Sequence, residues 1–263
     1  MTRVPMEGKV LNENDRAAAE LRAEFARHGV FAVNLISSPG SGKTALLERT
    51  LESYSPGRRV AVLTGDIQTD ADAARLARYG FPVRQITTAG ACHLDARMIR
   101  RALEGWDLAA IDLLFIENVG NLVCPTSYDL GEACKIVLLS VTEGEEKPLK
   151  YPGIFFKSEL MLLTKIDLLP YVPFHIDVAE ANARTIHPEI QIARLSCTTK
   201  EGLDEWLHWI NARALRGTKA APAAPEFVRY RELGGVRSRD KSRRRKIRGD
   251  PWRLAPEGPG TGD

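Results

Sequence analysis

Asn34-Leu35-Ile36-Ser37-Ser38-Pro39-Gly40-Ser41-Gly42-Lys43-Thr44 joins two runs of different periodicity. Val30 to Ile36 is apolar except for one Asn and reads as a strand, and Ala45-Leu46-Leu47-Glu48-Arg49 opens a helical pattern. A loop of small residues between strand and helix is what phosphate binding requires. The backbone N–H groups of Gly40, Ser41 and Gly42 can close around a β-phosphate at the helix N-terminus. Lys43 can reach the β- and γ-phosphates, and the Thr44 hydroxyl can ligate Mg²⁺. The pattern G-x-x-x-x-G-K-S/T is met except at its first glycine, where Ser37 stands. An ordinary glycine-rich turn is the competing reading; the intact Gly40-Ser41-Gly42-Lys43-Thr44 between correct flanks favours a nucleotide site.

Outward from that loop, apolar runs alternate with helical ones. Residues 12 to 28 are rich in helix formers and stop at Gly29. Strands are predicted at 59–64, 83–87, 111–116, 135–141, 160–164 and 190–195, with helices at 70–79, 94–103, 177–186 and 202–213. Continuously apolar strands separated by helices indicate a parallel sheet covered on both faces. The expected fold is therefore a doubly wound, mostly parallel α/β sheet of about seven strands, of P-loop NTPase type. Its ligands should lie at the C-terminal ends of the strands. The organisation expected is an N-terminal helix (1–29), a P-loop domain (30–216) and a basic tail (217–263).

The 263 residues are 44% apolar and 27% charged, an ordinary soluble composition. The net charge of +3 hides a division. From Gly217 onward there are twelve Lys and Arg against six Asp and Glu, leaving 25 basic and 28 acidic residues in the preceding 216. The run Arg237 to Arg248 is expected to be a solvated tail, with an interaction surface as the lesser reading and nucleic acid not favoured as partner. No apolar run approaches the ~18 residues of a membrane span, and the N-terminus lacks an apolar signal core, so a cytoplasmic protein without membrane contact is expected. Cysteines at 92, 124, 134 and 197 form no C-x-x-C and no short disulfide framework.

Two more strand ends carry nucleotide chemistry. Glu117-Asn118-Val119-Gly120 follows the 111–116 strand, where NTPases place an acidic residue for the Mg²⁺ shell and a glycine whose N–H reports the γ-phosphate. Gly65-Asp66 ends another strand, so Asp66 and Glu117 are candidate Mg²⁺-linked or water-orienting groups beside Lys43 and Thr44. Thr164-Lys165-Ile166-Asp167 matches the Asn/Thr-Lys-x-Asp element that reads guanine. The Asp167 carboxylate can accept from N1–H and the exocyclic amine together, the Lys165 stem can pack on the ring, and adenine offers neither donor. Ser196-Cys197-Thr198 sits where backbone N–H groups would meet the guanine carbonyl oxygen.

Cys92-His93-Leu94-Asp95 lies after the third strand, and Cys124 follows Gly120 by four residues. Two thiolates and an imidazole suit Zn²⁺ or Ni²⁺ better than Ca²⁺ or Mg²⁺. Spacing alone also fits a buried apolar cysteine and a satisfied histidine, and both readings stand on the residues by themselves. Three such ligands would leave a position open on one chain, or pair with a second copy across a two-fold axis.

Ser37 to Thr44, Gly65-Asp66-Ile67-Gln68-Thr69, Gly90-Ala91-Cys92-His93-Leu94-Asp95-Ala96, Glu117 to Pro125 and Val141 to Pro152 together resemble the nickel-insertion GTPases of nickel-iron hydrogenase maturation, the HypB family of SIMIBI-type P-loop GTPases. The resemblance runs from about residue 12 to 213. It implies a GTP/GDP-binding, Mg²⁺-dependent GTPase that forms a GTP-dependent homodimer. It further implies a nickel or zinc site at the dimer interface, with Cys92, His93 and Cys124 as ligands. The partners implied are the hydrogenase large-subunit precursor and other maturation factors. Ser37 and Glu117 also match the family pattern. The urease-accessory GTPases share the phosphate loop but carry Cys-Pro-His where this chain has Cys-His-Leu-Asp. Many HypB members bear an N-terminal Cys-rich motif or His-rich tract; residues 1–30 here hold no Cys and only His28. Thr164 replaces the more frequent Asn. The alternative function is a nucleotide-switched adaptor that works through its basic tail, or an accessory GTPase of the urease type.

Overall fold

The computed structural model describes residues 6–55, 57–66 and 71–217. Among these residues seven strands, β1 (Phe31–Ser37), β2 (Val60–Asp66), β3 (Val83–Thr87), β4 (Leu113–Glu117), β5 (Cys134–Ser140), β6 (Leu160–Thr164) and β7 (Gln191–Leu195), form one sheet in the order β3-β2-β4-β1-β5-β6-β7. Every pair is parallel. The doubly wound α/β expectation holds.

The α-helices among the described residues are α1 (Met6–His28), α2 (Lys43–Glu52), α3 (Ala71–Ala77), α4 (Ala96–Leu103), α5 (Lys147–Lys150), α6 (Pro152–Lys157), α7 (Ile176–Ile186) and α8 (Leu203–Gly217). Strand alternation divides them between two faces. Val33 and Leu35 of β1 point into a core completed by Leu46, Leu47 and Leu51 of α2, Leu76 of α3 and Trp206 and Ile210 of α8. Ala32 points the other way, against Leu21 and Phe25 of α1 and Ile99 of α4. Ile36 continues that opposite face, against Ile154 and Phe155 of α6 and Ala179 and Ala183 of α7. Trp206 is fully buried and its indole N–H donates to Thr50 Oγ1 at 2.8 Å, fastening α8 to α2. Burying one such aromatic side chain contributes about 1.5–3 kcal/mol.

Helix α1 starts at Met6 rather than residue 12, because Gly8 costs the helix only ~1 kcal/mol and does not end it. Helices α5 and α6 are additions to the expected elements; Pro148 and Pro152 punctuate that stretch, and both prolines sit where a helix begins. Cys134, expected before a strand, is the first residue of β5 and buried. The basic run 237–248 lies outside the described residues.

Because β1 is flanked by β4 on one side and β5 on the other, chain direction diverges at its C-terminal end. That is the switch point where doubly wound sheets bind ligands. The loop 37–43 leaves β1 there.

Candidate functional site

Gly40 and Gly42 hold φ of +75° and +99°, which bends the loop back onto the start of α2. Lys43 is buried, and its Nζ donates to Ser37 Oγ at 2.9 Å. Burial pulls the Lys43 amine below its usual range, with Glu117 opposing the shift. The residue that breaks the glycine pattern is thus the lysine's partner. Ser41 Oγ lies 2.7 Å from Glu143 Oε1 and 2.9 Å from Ser38 O, two acceptors for its single hydroxyl proton, while Lys147 Nζ lies 3.3 Å from Glu143 Oε2. Lys147 also reaches Ser38 Oγ at 3.4 Å. Glu143 and Lys147 were not singled out as site residues by their own chemistry; their i,i+4 spacing after a strand is the signal available.

Thr44 Oγ1 donates to Glu117 Oε1 at 2.7 Å, joining the start of α2 to the end of β4. Glu117 is buried, its Oε2 has no hydrogen-bond partner, and burial raises its carboxyl to about 7 despite Lys43 nearby. A buried hydroxyl–carboxylate pair with one orphaned oxygen fits a hard divalent cation such as Mg²⁺. In the β2–β4 register Thr64 stands opposite Glu117, so Asp66 ends the neighbouring strand two residues further on. Residues 67–69 of the Gly65 to Thr69 stretch lie outside the described residues. Gly120 packs on the phosphate loop: a Cβ there would meet Pro39 N and Cα at 2.9 Å, so only glycine fits.

At the end of β6, Thr164 Oγ1 donates to Ser41 O at 2.7 Å. Thr164 is buried and braces the phosphate loop, so its side chain faces that loop rather than an open base pocket. Lys165 has φ of +61°, turning the chain into the short 3-10 helix that carries Asp167. Asp167 Oδ1 accepts from Ser196 Oγ at 2.5 Å, and that hydroxyl oxygen accepts the N–H groups of Thr198 and Thr199 at 3.1 Å each. The Ser196 N–H itself goes to Glu201 O at 2.9 Å. Ser196 therefore orients the carboxylate with its side chain, a role its sequence position did not suggest. Cys197 lies beside it, with burial pushing its thiol up to about 11.

Cys92, His93 and Cys124 each offer one ligand atom, and those atoms lie within 4.8 Å of one another. Cys92 Sγ is 2.9 Å from Cys124 Sγ and 3.7 Å from His93 Nδ1. All three residues are partly exposed. The contact with Cys124 raises the Cys92 thiol above its usual range; burial lowers the His93 imidazole, with Asp95 acting against it. The His93 ring lies on Tyr128 with centroids 3.8 Å apart, and Asn121 Nδ2 donates to Cys92 O at 3.3 Å. Beside the cluster Val123 is 60% exposed, unusual for an aliphatic side chain of that size next to three polar ones. The donor set, two soft sulfurs and one imidazole, suits nickel or zinc.

The model of the CobW/HypB/UreG nucleotide-binding domain matches residues 31–194. The hydrogenase maturation factor HypB of Azotobacter vinelandii is 53% identical over 214 residues, covering 81% of this chain and 70% of that protein. HypB of Escherichia coli K12 is 51% identical over 204 residues, 78% of this chain and 70% of its own length. A crystal structure of HypB from Helicobacter pylori in complex with nickel superposes with a TM-score of 0.74 at 37% identity, covering 81% of this chain and all of that one.

Proposed function

The chain belongs to the HypB branch of the CobW/HypB/UreG nucleotide-binding family, and from that membership we propose that it is a GTP-hydrolysing chaperone that delivers nickel during maturation of nickel-iron hydrogenase. The observation that carries the proposal is one short segment serving two sites. Glu117 meets Thr44 at the nucleotide loop, and seven residues later Cys124 meets Cys92.

The division of labour follows from the chemistry of each group. Lys43 and the loop amides of Gly40, Ser41 and Gly42 neutralise the phosphates, and charge accumulating on the leaving oxygen is held by the same donors. Thr44 and Glu117, with Asp66, would hold Mg²⁺, which supplies charge neutralisation between the β- and γ-phosphates. Asp66 is the candidate for orienting the attacking water. Asp167, held by Ser196, and Lys165 select guanine over adenine. Cys92, His93 and Cys124 hold the nickel cargo, and zinc competes for the same donors.

Three donors leave a tetrahedral or square site short of one ligand. A second copy of the chain, brought together by GTP across the surface that exposes Val123, completes it. The partners proposed are the hydrogenase large-subunit precursor and other maturation factors. Among the described residues no helix is long and apolar enough to cross a membrane.

The test is metal content and affinity of the purified protein, measured for the unchanged chain, Cys92→Ala and Cys124→Ala, together with GTP hydrolysis. Nickel binding that falls at least about tenfold in each variant while hydrolysis by the monomer persists supports the chaperone reading. The same nickel affinity in all three proteins favours a nucleotide-switched adaptor instead.

A further inference from the structure

A buried asparagine stands between the nucleotide and metal sites. Asn118 is buried to 1% exposure and stands one position after Glu117. Its Oδ1 accepts two backbone N–H groups, Leu94 at 3.2 Å and Val119 at 3.0 Å. Two donors facing one atom require oxygen there, which fixes the amide orientation. Its Nδ2 donates to Asn34 Oδ1 at 3.2 Å, and Asn34 Nδ2 donates to Glu132 Oε1 at 3.2 Å. Glu132 pairs with Lys135, whose Nζ also donates to Tyr128 O at 2.9 Å, and the Tyr128 ring lies against His93. The chain of contacts leaves the metal cluster at Leu94 and returns to it at His93.

Leu94 is gripped a second time. Its fully buried side chain fills the space where a Cβ on Gly65 would stand, at 2.8–2.9 Å, so the Cys92–His93 loop is packed on the strand end that carries Asp66. The segment 117–120 thus touches both the phosphate loop and the metal loop. Glu117 faces Thr44, Asn118 the metal loop, and Gly120 the backbone of Pro39, while Val119 N–H completes the Asn118 acceptor.

We propose that Asn118 is the positioning residue that ties the Cys92–His93 loop to the nucleotide state. The inference rests on the nucleotide site proposed above. Cys124 is moved by the nucleotide through its own chain, four residues beyond Gly120. Cys92 and His93 have no such chain connection; their loop is held by the backbone N–H of Leu94 on Asn118, next to the weaker contact of Asn121 Nδ2 with Cys92 O. When phosphate at the loop displaces Gly120, Asn118 shifts with it. Its Oδ1 then carries Leu94 N–H, because leaving that buried donor unpaired costs on the order of 1–3 kcal/mol. Both ligand-bearing loops therefore respond to one event, and their relative placement is set by Asn118 rather than by drift of Cys124 alone. The link is a contiguous set of hydrogen bonds through one buried amide, and nucleotide-dependent exchange at the metal loop is what would show that it couples the two sites.

Amide hydrogen exchange in metal-free, full-length protein tests this. Peptides covering 92–96 and 40–44 are followed with Mg·GDP and with a Mg·non-hydrolysable GTP analogue. In the unchanged protein, exchange at 92–96 should differ between the two nucleotides by about fivefold or more. In Asn118→Ala that ratio should fall to about one, while the difference at 40–44 remains. Asn118→Ser, whose hydroxyl stops short of Leu94 N–H, should behave the same and serves if the alanine variant does not fold. A purely structural loosening would speed exchange at 92–96 equally in both states and leave the ratio intact; that result, or no nucleotide dependence at 92–96 in the unchanged protein, overturns the proposal. The measurement needs no metal. A failed nickel reading therefore appears separately, as absent nickel binding with nucleotide-dependent exchange preserved.

Discussion

Lys43 Nζ lies 2.9 Å from Ser37 Oγ, so the serine that replaces the first glycine of the phosphate loop is the lysine's partner before phosphate arrives. The Lys43 ammonium carries three N–H donors, and Ser37 Oγ accepts one of them. Ser37→Ala removes that acceptor and leaves one buried N–H to be satisfied by phosphate. The expected outcome is a less stable nucleotide-free protein, by about 1–3 kcal/mol, and a correspondingly larger rise in thermal midpoint on adding Mg·GDP. Calorimetric melts with and without nucleotide check this; an unchanged nucleotide-induced shift would show that Ser37 does not compete with phosphate.

The Glu117 carboxyl, raised to about 7 by burial, gives a pH signature. Its neighbours pull in both directions: Lys43, the Thr44 hydroxyl and Arg75 favour ionisation, whereas Asp72 opposes it. Between its ordinary 4.5 and about 7 the native state binds more protons than the unfolded chain, so stability without Mg²⁺ falls as pH rises through that window. A cation needs the ionised form. Affinity for Mg·GDP should therefore climb from pH 6 to pH 8, and Glu117→Gln should bind more weakly with a flatter profile. Titrations at three pH values on both proteins decide it; parallel profiles would count against Glu117 as a cation-linked group.

The guanine recognition proposed above rests on Asp167 and on the Ser196 hydroxyl bonded to it. Asp167→Asn removes the paired acceptor and should weaken GTP binding by roughly a hundredfold or more, moving preference toward xanthine nucleotides, whose 2-carbonyl can accept from the new amide. Ser196→Ala leaves the carboxylate but loses a 2.5 Å hydrogen bond to a charged group, for an expected loss of about tenfold. Competition of GTP, XTP and ATP against a fluorescent guanine nucleotide reads both variants. Equal ATP and GTP affinity in the unchanged protein would contradict the assignment.

Much of this was legible in the residues, and the part that was not has a physical reason. Apolar strand runs and the Gly40-Ser41-Gly42-Lys43-Thr44 loop announce a parallel sheet with a nucleotide at its switch point, because burial on both faces and a tight phosphate turn each restrict composition locally. The strand ends at Asp66, Glu117 and Thr164 fell where the periodicity placed them, within two residues. Asn34, by contrast, looked like an interruption in an apolar strand. It is a fully buried link between Asn118 and Glu132, contacts that span 84 and 98 residues of sequence. No local pattern encodes partners so distant. The same holds for Ser196, whose hydroxyl meets Asp167 across 29 residues, and for Thr164, whose hydroxyl reaches back 123 residues to Ser41. Cys92 and Cys124 lie between these cases: their residue types are suggestive, but only the fold brings their sulfurs to 2.9 Å.

If the segment 117–124 links the nucleotide to the metal donors as proposed, GTP and nickel bias each other. Nickel titration into the Mg·GDP form and into the form holding a non-hydrolysable GTP analogue, with nucleotide affinity measured in turn with and without nickel, tests it directly. Nickel affinities should differ by about fivefold or more between the two states, and nucleotide affinity should change by the same factor when nickel is bound. Superimposable nickel isotherms in the two nucleotide states would contradict it.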